Sequence, residues 1–430
     1  MEIVYPRCCG VDVHKKFIDA VICISDSLNP HYIRKRFSTL NNQLIRFRKW
    51  LIENDCTNVC MESTGKYYIP VYNALEGHIS NVVVANPKWV KAIKGEKDDN
   101  KDAKWIADLF KFGIVRSSYI PEKDIRILRE FTRYQYKLIN VRSSEKNRFQ
   151  NALTVGNCKL DMVFSDVFGK SATSIVNLIL SDNEYSDKDI LSNIHRGCKA
   201  SDEDILSAVS GTDLNEHQKA RINIVKAHMQ YVDSLLEQLQ GHIDIMVKNY
   251  ENYIDLLCTI PGVDRKSAIT IISEIGIDMS QWSDHRKLSA WAGLAPGCNE
   301  SAGKKKSVKI SRAGIYLKPC LVQVAHAAVK DKNSSYYADK YNKLSKRRGK
   351  KRSIIAIARK ILVAIYHILK TGEVFNPSDM ADVETTQKQR IEYIKNNLKN
   401  AFNQLSRTGL TQQEIIDMLS LKSTDSPTLE

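Results

Sequence analysis

The residue that first suggests chemistry is Asp12, which stands in the middle of the apolar stretch GVDVHKKFIDAVI. Burying a carboxylate without a partner is costly, so an acid in such a stretch usually has a cation or a metal ion beside it. Three further carboxylates could join it: Glu62 at the end of NVCME, and Asp99 and Asp102 in DNKDAKW. Asp99 and Asp102 are three residues apart at the start of a predicted helix, so they share one helix face.

Each of these acids also has a simpler explanation. Asp99 could cap the helix, Glu62 could pair with a lysine, and the acids from Asp98 to Asp102 could form a solvated turn. The combination favours a metal site, because carboxylate oxygens suit Mg²⁺ and a pair of such ions can stabilise the attacking and leaving oxygens of a phosphodiester. The sequence therefore predicts that Asp12, Glu62, Asp99 and Asp102 bind Mg²⁺.

The hydrophobic pattern places these acids in a β-β-β-α-β-α-β-α unit. The predicted strands are Arg7–Val13, Phe17–Ser25, Tyr32–Ser38, NVCMES and NVVVANP, and the predicted helices are NNQLIRFRKWLIEN, Tyr68–Glu76 and NKDAKWIADLFKFG. This order is that of the ribonuclease H-like fold, in which the central strand ends and the following helix converge on one sheet edge. A doubly wound nucleotide-binding fold would start β-α-β with a glycine-rich turn, which is missing here.

The rest of the chain is predicted to be mainly helical. Long charged segments between Asp124 and Tyr253 suit an antiparallel coiled-coil arm, with no element predicted between Ser165 and Ser210. From Leu257, LCTIPGVDRKSAITIISEIG indicates helix, Pro-Gly turn and helix. In a helix-hairpin-helix this turn offers backbone N–H groups to a phosphate, here near Gly262, although a plain helical connection gives the same pattern.

We therefore expect an α/β N-terminal domain of the ribonuclease H-like (RuvC-like) kind followed by all-α regions. The predicted divisions are an acidic domain over 1–120, the coiled-coil region over 121–253, a helical domain over 254–375 and a polar tail over 376–430. Within the tail, GLTQQEIIDMLSL resembles the first helix of a helix-turn-helix, but no recognition helix follows.

The composition of the chain indicates which classes of partner it can bind. The chain has 430 residues and a formal charge of +15, with 64 Lys and Arg against 49 Asp and Glu, which favours a polyanionic partner. No apolar run approaches the ~20 residues of a membrane-spanning helix, and the start MEIVYPRCCG lacks signal-peptide features. The ten cysteines are scattered without zinc-finger spacing. We expect a cytoplasmic protein with reduced, mostly buried thiols and no membrane partner.

Several motifs together resemble one family. GVDVHK, MESTGKYY, VVVANPKWVKAIKGEKDDNKDAKWIADL, IPGVDRKSAITIISEIG and LSAWAGLAPGCNESAGKKKSVKISRAGIYLKPCLV occur in the order found in the DEDD transposases. This insertion-sequence family includes the Piv-type DNA invertases, and its recombinases are guided by a bridge RNA. The resemblance covers residues 7 to about 375 and implies a metal tetrad at Asp12, Glu62, Asp99 and Asp102. The family usually has Thr before the third acid, whereas this chain has Asp98, which therefore competes with Asp99.

The resemblance also implies a nucleophilic serine in a short loop after AGLAP, which falls on Ser301 in NESAGKKK. The family has Gly after this serine whereas this chain has Ala302, so Ser307 and Ser311 remain alternatives. Cations that follow, and a second run in KLSKRRGKKRS, suit phosphate contacts. The expected nucleic-acid-binding residues are Gly262, Lys304, Lys305, Lys306, Lys309, Arg312, Lys346, Arg347, Arg348, Lys350, Lys351 and Arg352. Tyr336, Tyr337 and Tyr341, just before the second run, could stack on bases.

The function that the resemblance implies is an RNA-guided transposase that cuts and rejoins double-stranded target and donor DNA. It also implies a homodimer or homotetramer in which the acidic domain of one protomer meets the serine domain of another. Three alternatives remain open. A nuclease similar to Holliday-junction resolvases would use the tetrad without Ser301. A sugar-kinase or actin-like ATPase should show glycine-rich phosphate loops, which we do not find, and a packaging protein should tolerate Asp12→Asn.

Overall fold

The computed structural model describes residues 2–25, 30–63, 65–90, 99–181, 184–297, 299–301, 304–307, 309–377 and 379, with 391, 395, 398 and 399. The chain divides into two compact units, Met1–Glu122 and Lys123–Glu430.

The first unit contains one mixed sheet and its covering helices. Its elements are β1 Arg7–Val13, β2 Phe17–Ile24, β3 His31–Ser38, α1 Asn41–Glu53, β4 Asn58–Glu62, α2 Tyr68–Leu75, β5 Asn81–Ala85, α3 Pro87–Val90 and α4 Asp99–Lys111. The sheet order is β3-β2-β1-β4-β5. Strand β2 runs antiparallel to β1 and β3, while β1, β4 and β5 are parallel. The predicted strands and helices are found in the predicted order, but the predicted strand NVVVANP ends at Ala85 and the additional short helix α3 begins at Pro87. The unit is consistent with a ribonuclease H-like domain.

Strand β1 is buried on both faces, which explains why its sequence is almost wholly apolar. On one face, Val11 and Val13 pack with the apolar residues of α1 and α2. On the other face, Cys8 packs with Phe110 and other residues of α4. Because successive strand residues point to opposite faces, Asp12 lies on the side of the sheet that α4 covers.

The second unit is mainly helical, as predicted. Its helices are α5 Lys123–Val155, α6 Lys170–Leu180, α7 Asp187–Ser192, α8 Asp202–Val209, α9 Glu216–Met246, α10 Glu251–Cys258, α11 Arg265–Ile275, α12 His285–Trp291, α13 Leu317–Lys330, α14 Tyr336–Arg348 and α15 Lys350–Thr371, with short 3₁₀ turns at Leu160–Met162, Val247–Tyr250 and Met279–Gln281. Strands β6 Asn299–Ser301 and β7 Lys304–Ser307 form an antiparallel hairpin.

Helices α5 and α9 pack side by side in opposite directions. Gln135 of α5 donates to Gln240 of α9 at 2.9 Å, and ten residues further on Glu145 pairs with His228, which precedes Gln240 by twelve. We call this helix pair the arm. Between its two helices, residues 156–215 hold α6, α7 and α8, whose apolar residues form a core of their own with the adjoining ends of the arm. The segment between Ser165 and Ser210, for which the sequence predicted no element, therefore contains helices α6, α7 and α8.

Helix α5 is also tied to α11 by a buried ion pair. Glu274 is only 3% exposed, and both of its carboxylate oxygens accept hydrogen bonds from the Arg133 guanidinium, at 2.6 and 2.8 Å. One turn earlier, Arg129 donates to the carbonyl oxygens of Ser273 and Glu274 at 2.9 and 2.6 Å. The Arg133 guanidinium also lies 4.6 Å from the ring centroid of Tyr316. These contacts connect the arm to α11 and to Tyr316, the residue before α13.

Candidate active site

Helix α4 lies directly on the backbone of β1 beside Asp12. A Cβ atom at Gly10 would stand 2.3 Å from the carbonyl oxygen of Ala103 and 2.4 Å from the amide nitrogen of Ala107, so only glycine allows this approach. The Cys8 thiol, nearer the start of β1, donates to the Ala107 carbonyl. Helix and strand therefore run in opposite directions, and the first turn of α4 lies at the end of β1 that carries Asp12.

Glu62 lies at the same edge as Asp12. Strands β1 and β4 are parallel with Val11 opposite Met61, so the next residues along, Asp12 and Glu62, are neighbours. Both point to the α4 face, because Met61 belongs to the opposite core. Asp12 is 9% exposed and Glu62 is half-buried. The topology thus brings Asp12, Glu62 and the start of α4, which holds Asp102, to one sheet edge.

The remaining acids are only partly described. Asp99 begins α4, but its side chain lies outside the described residues, as does the whole of the competing Asp98. Among the described side chains, no three His, Cys, Asp or Glu residues converge closely enough to hold a metal ion. The donor set is chemically suited to a hard cation, since it consists of carboxylates. Its assembly around an ion stays a prediction.

His14 contacts Asp12 directly, which the sequence analysis did not predict. Its Nε2 atom lies 2.9 Å from Asp12 Oδ2. The spacing of two residues was the available signal, because residues i and i+2 of an extended segment share a face. A second missed residue is Asp19, which pairs with Asp12 across β1 and β2 and is 5% exposed. Arg36 donates to both oxygens of Asp19, at 2.8 and 2.7 Å.

Ser301 lies at the tip of the β6–β7 hairpin. The register pairs Ser301, the last residue of β6, with Lys304, the first residue of β7. The side chains of Ser301, Lys304, Lys305 and Lys306, and all of Ala302 and Gly303, lie outside the described residues. The hairpin therefore locates the predicted nucleophile by its backbone alone.

The base of this hairpin is held by close backbone contacts. Gly293 and Gly314 both have positive φ, at 69°. A Cβ atom on Gly314 would lie 2.3 Å from the Ala292 carbonyl oxygen, and one on Gly293 would lie 2.6 Å from the Ala313 carbonyl oxygen. The backbone at Ala292 and Gly293, before the hairpin, therefore lies in close contact with the backbone at Ala313 and Gly314, after it.

Of the alternative serines, Ser307 is described by its backbone alone, and Ser311 with its side chain. Ser307 lies at the base of β7, opposite Asn299. The Ser311 hydroxyl accepts a hydrogen bond from the Ala313 amide at 3.3 Å, as in a local turn, and its carbonyl accepts one from Lys318 at 2.8 Å. A turn role accounts for Ser311 without catalysis. Ser301 remains the preferred prediction.

The predicted phosphate-binding cations that are described are exposed. Lys309 and Arg312 follow the hairpin, and the second run surrounds Gly349, where α14 ends and α15 begins. Lys346, Arg347 and Arg348 occupy the last turn of α14, and Lys350, Lys351 and Arg352 the first turn of α15. Cations at a helix N-terminus oppose the helix dipole, so the second trio does not stabilise its own helix. A bound anion would remove this conflict.

The predicted base-stacking role of Tyr336 and Tyr337 is wrong. Tyr337 is 1% exposed and Tyr336 is also buried, and both rings pack against Phe375. The Tyr336 hydroxyl donates to Asp379 at 2.7 Å, and burial together with this carboxylate raises the pKa of the phenol. Both rings belong to the interior, whereas Tyr341 is half-buried.

Gly262 has a packing role in the Pro-Gly turn. Its φ is 84°, and a Cβ atom there would lie 2.5 Å from the amide nitrogen of Ala328 in α13. The predicted helix, turn and helix are found as α10 and α11. However, the Asp264 carboxylate caps α11 by accepting from the Ser267 amide. A carboxylate at this position would repel a phosphate, so phosphate binding by this turn stays a prediction.

The described cysteines form no disulfide, and most are buried. Burial raises the pKa of both Cys56 and Cys60 to about 12, as expected for thiols in apolar surroundings. Within the described ranges, no helix has both the length and the apolarity that a bilayer span requires.

Comparison with known proteins agrees with this architecture. Residues 9–156 match the family model of the IS110-type DEDD transposases, described as "Transposase", and residues 254–342 match the model described as "Transposase IS116/IS110/IS902 family". The chain belongs to the DEDD transposases of the IS110 family. The first match contains Asp12, Glu62, Asp99 and Asp102, and the second contains Ser301.

One relative is the "Transposase for insertion sequence element IS1111A" of Coxiella burnetii (strain RSA 493 / Nine Mile phase I). The two chains are 26% identical over 185 residues, which are 42% of this chain and 50% of the relative. The chain thus matches about half the length of this curated relative.

Proposed function

We propose that this protein is an insertion-sequence transposase that cuts and rejoins double-stranded DNA through a serine nucleophile assisted by Mg²⁺. The observation that carries the proposal is that one chain of this family combines a carboxylate-bearing sheet edge with a serine at the tip of a lysine-rich hairpin. The resemblance to the family adds that a bridge RNA guides the recombination.

The acids that would hold Mg²⁺ are Asp12, Glu62, Asp99 and Asp102, with Asp98 as the alternative to Asp99. When bound, the metal would supply positive charge to the scissile phosphate and favour the ionised serine. The support for this arrangement is the shared edge of Asp12 and Glu62 and the position of Asp102 near the start of α4. Four acids concentrated at one edge would repel one another without a cation.

In the proposed reaction, the Ser301 oxygen attacks a DNA phosphorus atom. A serine–phosphate ester forms while one phosphate ester bond to the DNA chain breaks, and the released DNA hydroxyl takes up a proton in exchange for the one that the serine loses to solvent. Because the number of phosphate ester bonds is unchanged, the reverse attack by a DNA hydroxyl can rejoin strands without ATP. Cations after the serine would hold the flanking phosphates.

The direct test is detection of the protein–DNA adduct on a denaturing gel. Ser301→Ala should bind nucleic acid normally and form no adduct, while Ser307→Ala, at the base of the same hairpin, should retain it. An adduct that persists in Ser301→Ala and maps to Ser307 or Ser311 would contradict the assignment. Normal cutting without any adduct would favour the resolvase-like nuclease instead.

RNA guidance and assembly need separate measurements. The RNA that co-purifies with the protein should be a single species encoded beside its gene, and sequencing it tests the guide. Salt should weaken its binding steeply, because multiple phosphate contacts release counterions. Light scattering of the RNA-bound protein should show a dimer or tetramer, since the arm offers long helices for pairing. An active monomer, or random cellular RNA in the preparation, would contradict these parts of the proposal.

A further inference from the structure

We propose that His14 is a positioning residue for Asp12, held in place by contacts that extend to the Asp19–Arg36 ion pair. This inference rests on the proposed metal site and deepens it, because it names the residues that set the orientation of one predicted ligand. These residues lie around the turn that joins β1 to β2 and on the adjoining strand β3.

The first step is the contact between the two side chains. His14 Nε2 lies 2.9 Å from Asp12 Oδ2, and the Asp12 side chain is only 12% exposed. The last torsion of an Asp side chain is soft, so a carboxylate rotates unless one of its oxygens is held. Engaging Oδ2 fixes the direction of Oδ1, and each oxygen keeps lone pairs for further ligands.

The second step is what holds the imidazole. The ring centroids of His14 and Phe17 are 4.6 Å apart, and the His14 amide donates to the Phe17 carbonyl at 2.9 Å. The Arg36 guanidinium lies 4.2 Å from the centroid of the same Phe17 ring. His14 is therefore packed against a ring that an arginine contacts in turn.

The third step concerns Asp19, the acid beside Asp12. The two residues are directly paired across β1 and β2, and Asp19 pairs with Arg36 across β2 and β3. Both Asp19 oxygens accept from the guanidinium, and Asp19 is 5% exposed. Arg36 thus neutralises a carboxylate that would otherwise repel Asp12 or compete with it for a cation. The contacts select Asp12 as the metal ligand and orient it.

The experiment is a titration of the full-length protein with Mn²⁺, followed by electron paramagnetic resonance of the free ion, without nucleic acid. The site of interest is the one that Asp12→Asn removes. His14→Ala should weaken Mn²⁺ binding at this site by about 10- to 100-fold, the usual effect of losing a partner of a metal ligand. His14→Gln should recover part of the affinity, because its amide can donate to Asp12. Lys15→Ala, the exposed neighbour, should bind as the wild type does.

Unchanged affinity in His14→Ala would overturn the role of His14 while leaving the metal site intact. An equal loss in Lys15→Ala would overturn it as well, since the effect would then reflect the turn rather than the imidazole. If the wild type has no Mn²⁺ site that Asp12→Asn removes, the proposed metal site itself fails, and the inference falls with it.

Discussion

The predicted metal ligands and the predicted nucleophile lie in very different settings. Asp12 lies in a strand that is buried on both faces and is engaged by His14, whereas Ser301 lies at the tip of a two-stranded hairpin. Metal ligands need fixed distances from one another, which a packed sheet supplies. A nucleophile must instead reach a separate molecule, which suits a hairpin tip. The two settings predict different responses to substitution.

The largest effect should follow Asp12→Asn. The change removes a predicted metal ligand with almost no change in shape, so adduct formation should fall at least about 100-fold, since metal assistance contributes several kcal/mol. The fold should survive, as judged by circular dichroism and thermal unfolding. Asp55→Asn is a suitable control, because the Asp55 carboxylate is exposed and paired only with Arg7 among the described contacts. If Asp12→Asn forms the adduct as the wild type does, Asp12 is not a metal ligand that the reaction needs.

Two glycine substitutions test the scaffolds themselves. Gly10→Ala should destabilise the first unit by about 3 kcal/mol, because its Cβ would meet the backbone of α4. Gly314→Ala introduces a similar backbone clash and a side chain at positive φ, but at the base of a short hairpin. Hydrogen exchange followed by mass spectrometry should therefore show faster exchange across β1 and β4 for Gly10→Ala. For Gly314→Ala, faster exchange should be confined to the segment from Gly293 to Tyr316.

Adduct formation should fall in both glycine variants, for different reasons. Gly241→Ala is a matched control, because a Cβ atom at this helical glycine meets nothing within 4 Å. It should stabilise the protein by about 0.5 to 1 kcal/mol. If Gly314→Ala loosens the whole second unit, the hairpin is part of the helical core rather than a separate element on it.

Ion pairs in the two units give a third test. Arg133→Met leaves the buried Glu274 carboxylate without its bidentate donor and should cost about 3 kcal/mol of unfolding free energy. Arg7→Met breaks the exposed pair with Asp55 and should cost less than about 1 kcal/mol. Denaturant unfolding measures both. The double variant Arg133→Met/Glu274→Met should recover most of the stability, and failure to do so would mean that Arg133 acts mainly through Tyr316.

The smallest effect should come from the cations beside Gly349. Replacing Lys350, Lys351 and Arg352 by Gln should weaken RNA binding without changing the fold, since their side chains are exposed. For single-stranded RNA the slope of log affinity against log salt should become shallower by about 0.7 for each phosphate that the variant no longer neutralises. Lys188→Gln, in the acidic segment 156–215, should leave the slope unchanged. An unchanged slope in the triple variant would exclude this surface from RNA binding.

The sequence predicted the strands and longer helices of the first unit well, because β1 and β2 are short apolar runs and α1 has a clear helical period. The short helix α3 was not predicted. The apolar residues Leu44, Phe47, Trp50 and Leu51 follow helical spacing and are all buried in α1. Strand ends at Val13 and Glu62 are also as predicted. The contacts around Asp12 could not be predicted in the same way. They depend on which residues face each other across β1, β2 and β3, and neither the Asp12–Asp19 nor the Asp19–Arg36 register is visible in local spacing.

The misassigned tyrosines show a second limit. Tyr336 and Tyr337 precede a run of cations, a pattern that suits a nucleic-acid surface as well as a core edge. The deciding contact is with Phe375, which is almost forty residues further along the chain. Burial of an aromatic residue is set by such distant partners. The helices of the polar segment before α9 could not be predicted from local sequence for the same reason. They are short, and residues distant in the sequence stabilise them through a shared core.

The antiparallel course of the arm has a consequence for how such chains can change in length. Because α5 and α9 are antiparallel, the start of α5 at Lys123 and the end of α9 at Met246 lie at the same end of the arm. The segment that connects the two helices lies at the other end, so its length does not set the distance between Lys123 and Met246. Residues 156–215 are therefore an insertion between the two helices of the arm. Their sequence has ten acidic and five basic residues in a chain of net charge +15, so this segment is less suited than the rest of the chain to contact a polyanion. Comparable chains could lengthen, shorten or replace this segment without changing the distance between the Lys123 end of α5 and the Met246 end of α9.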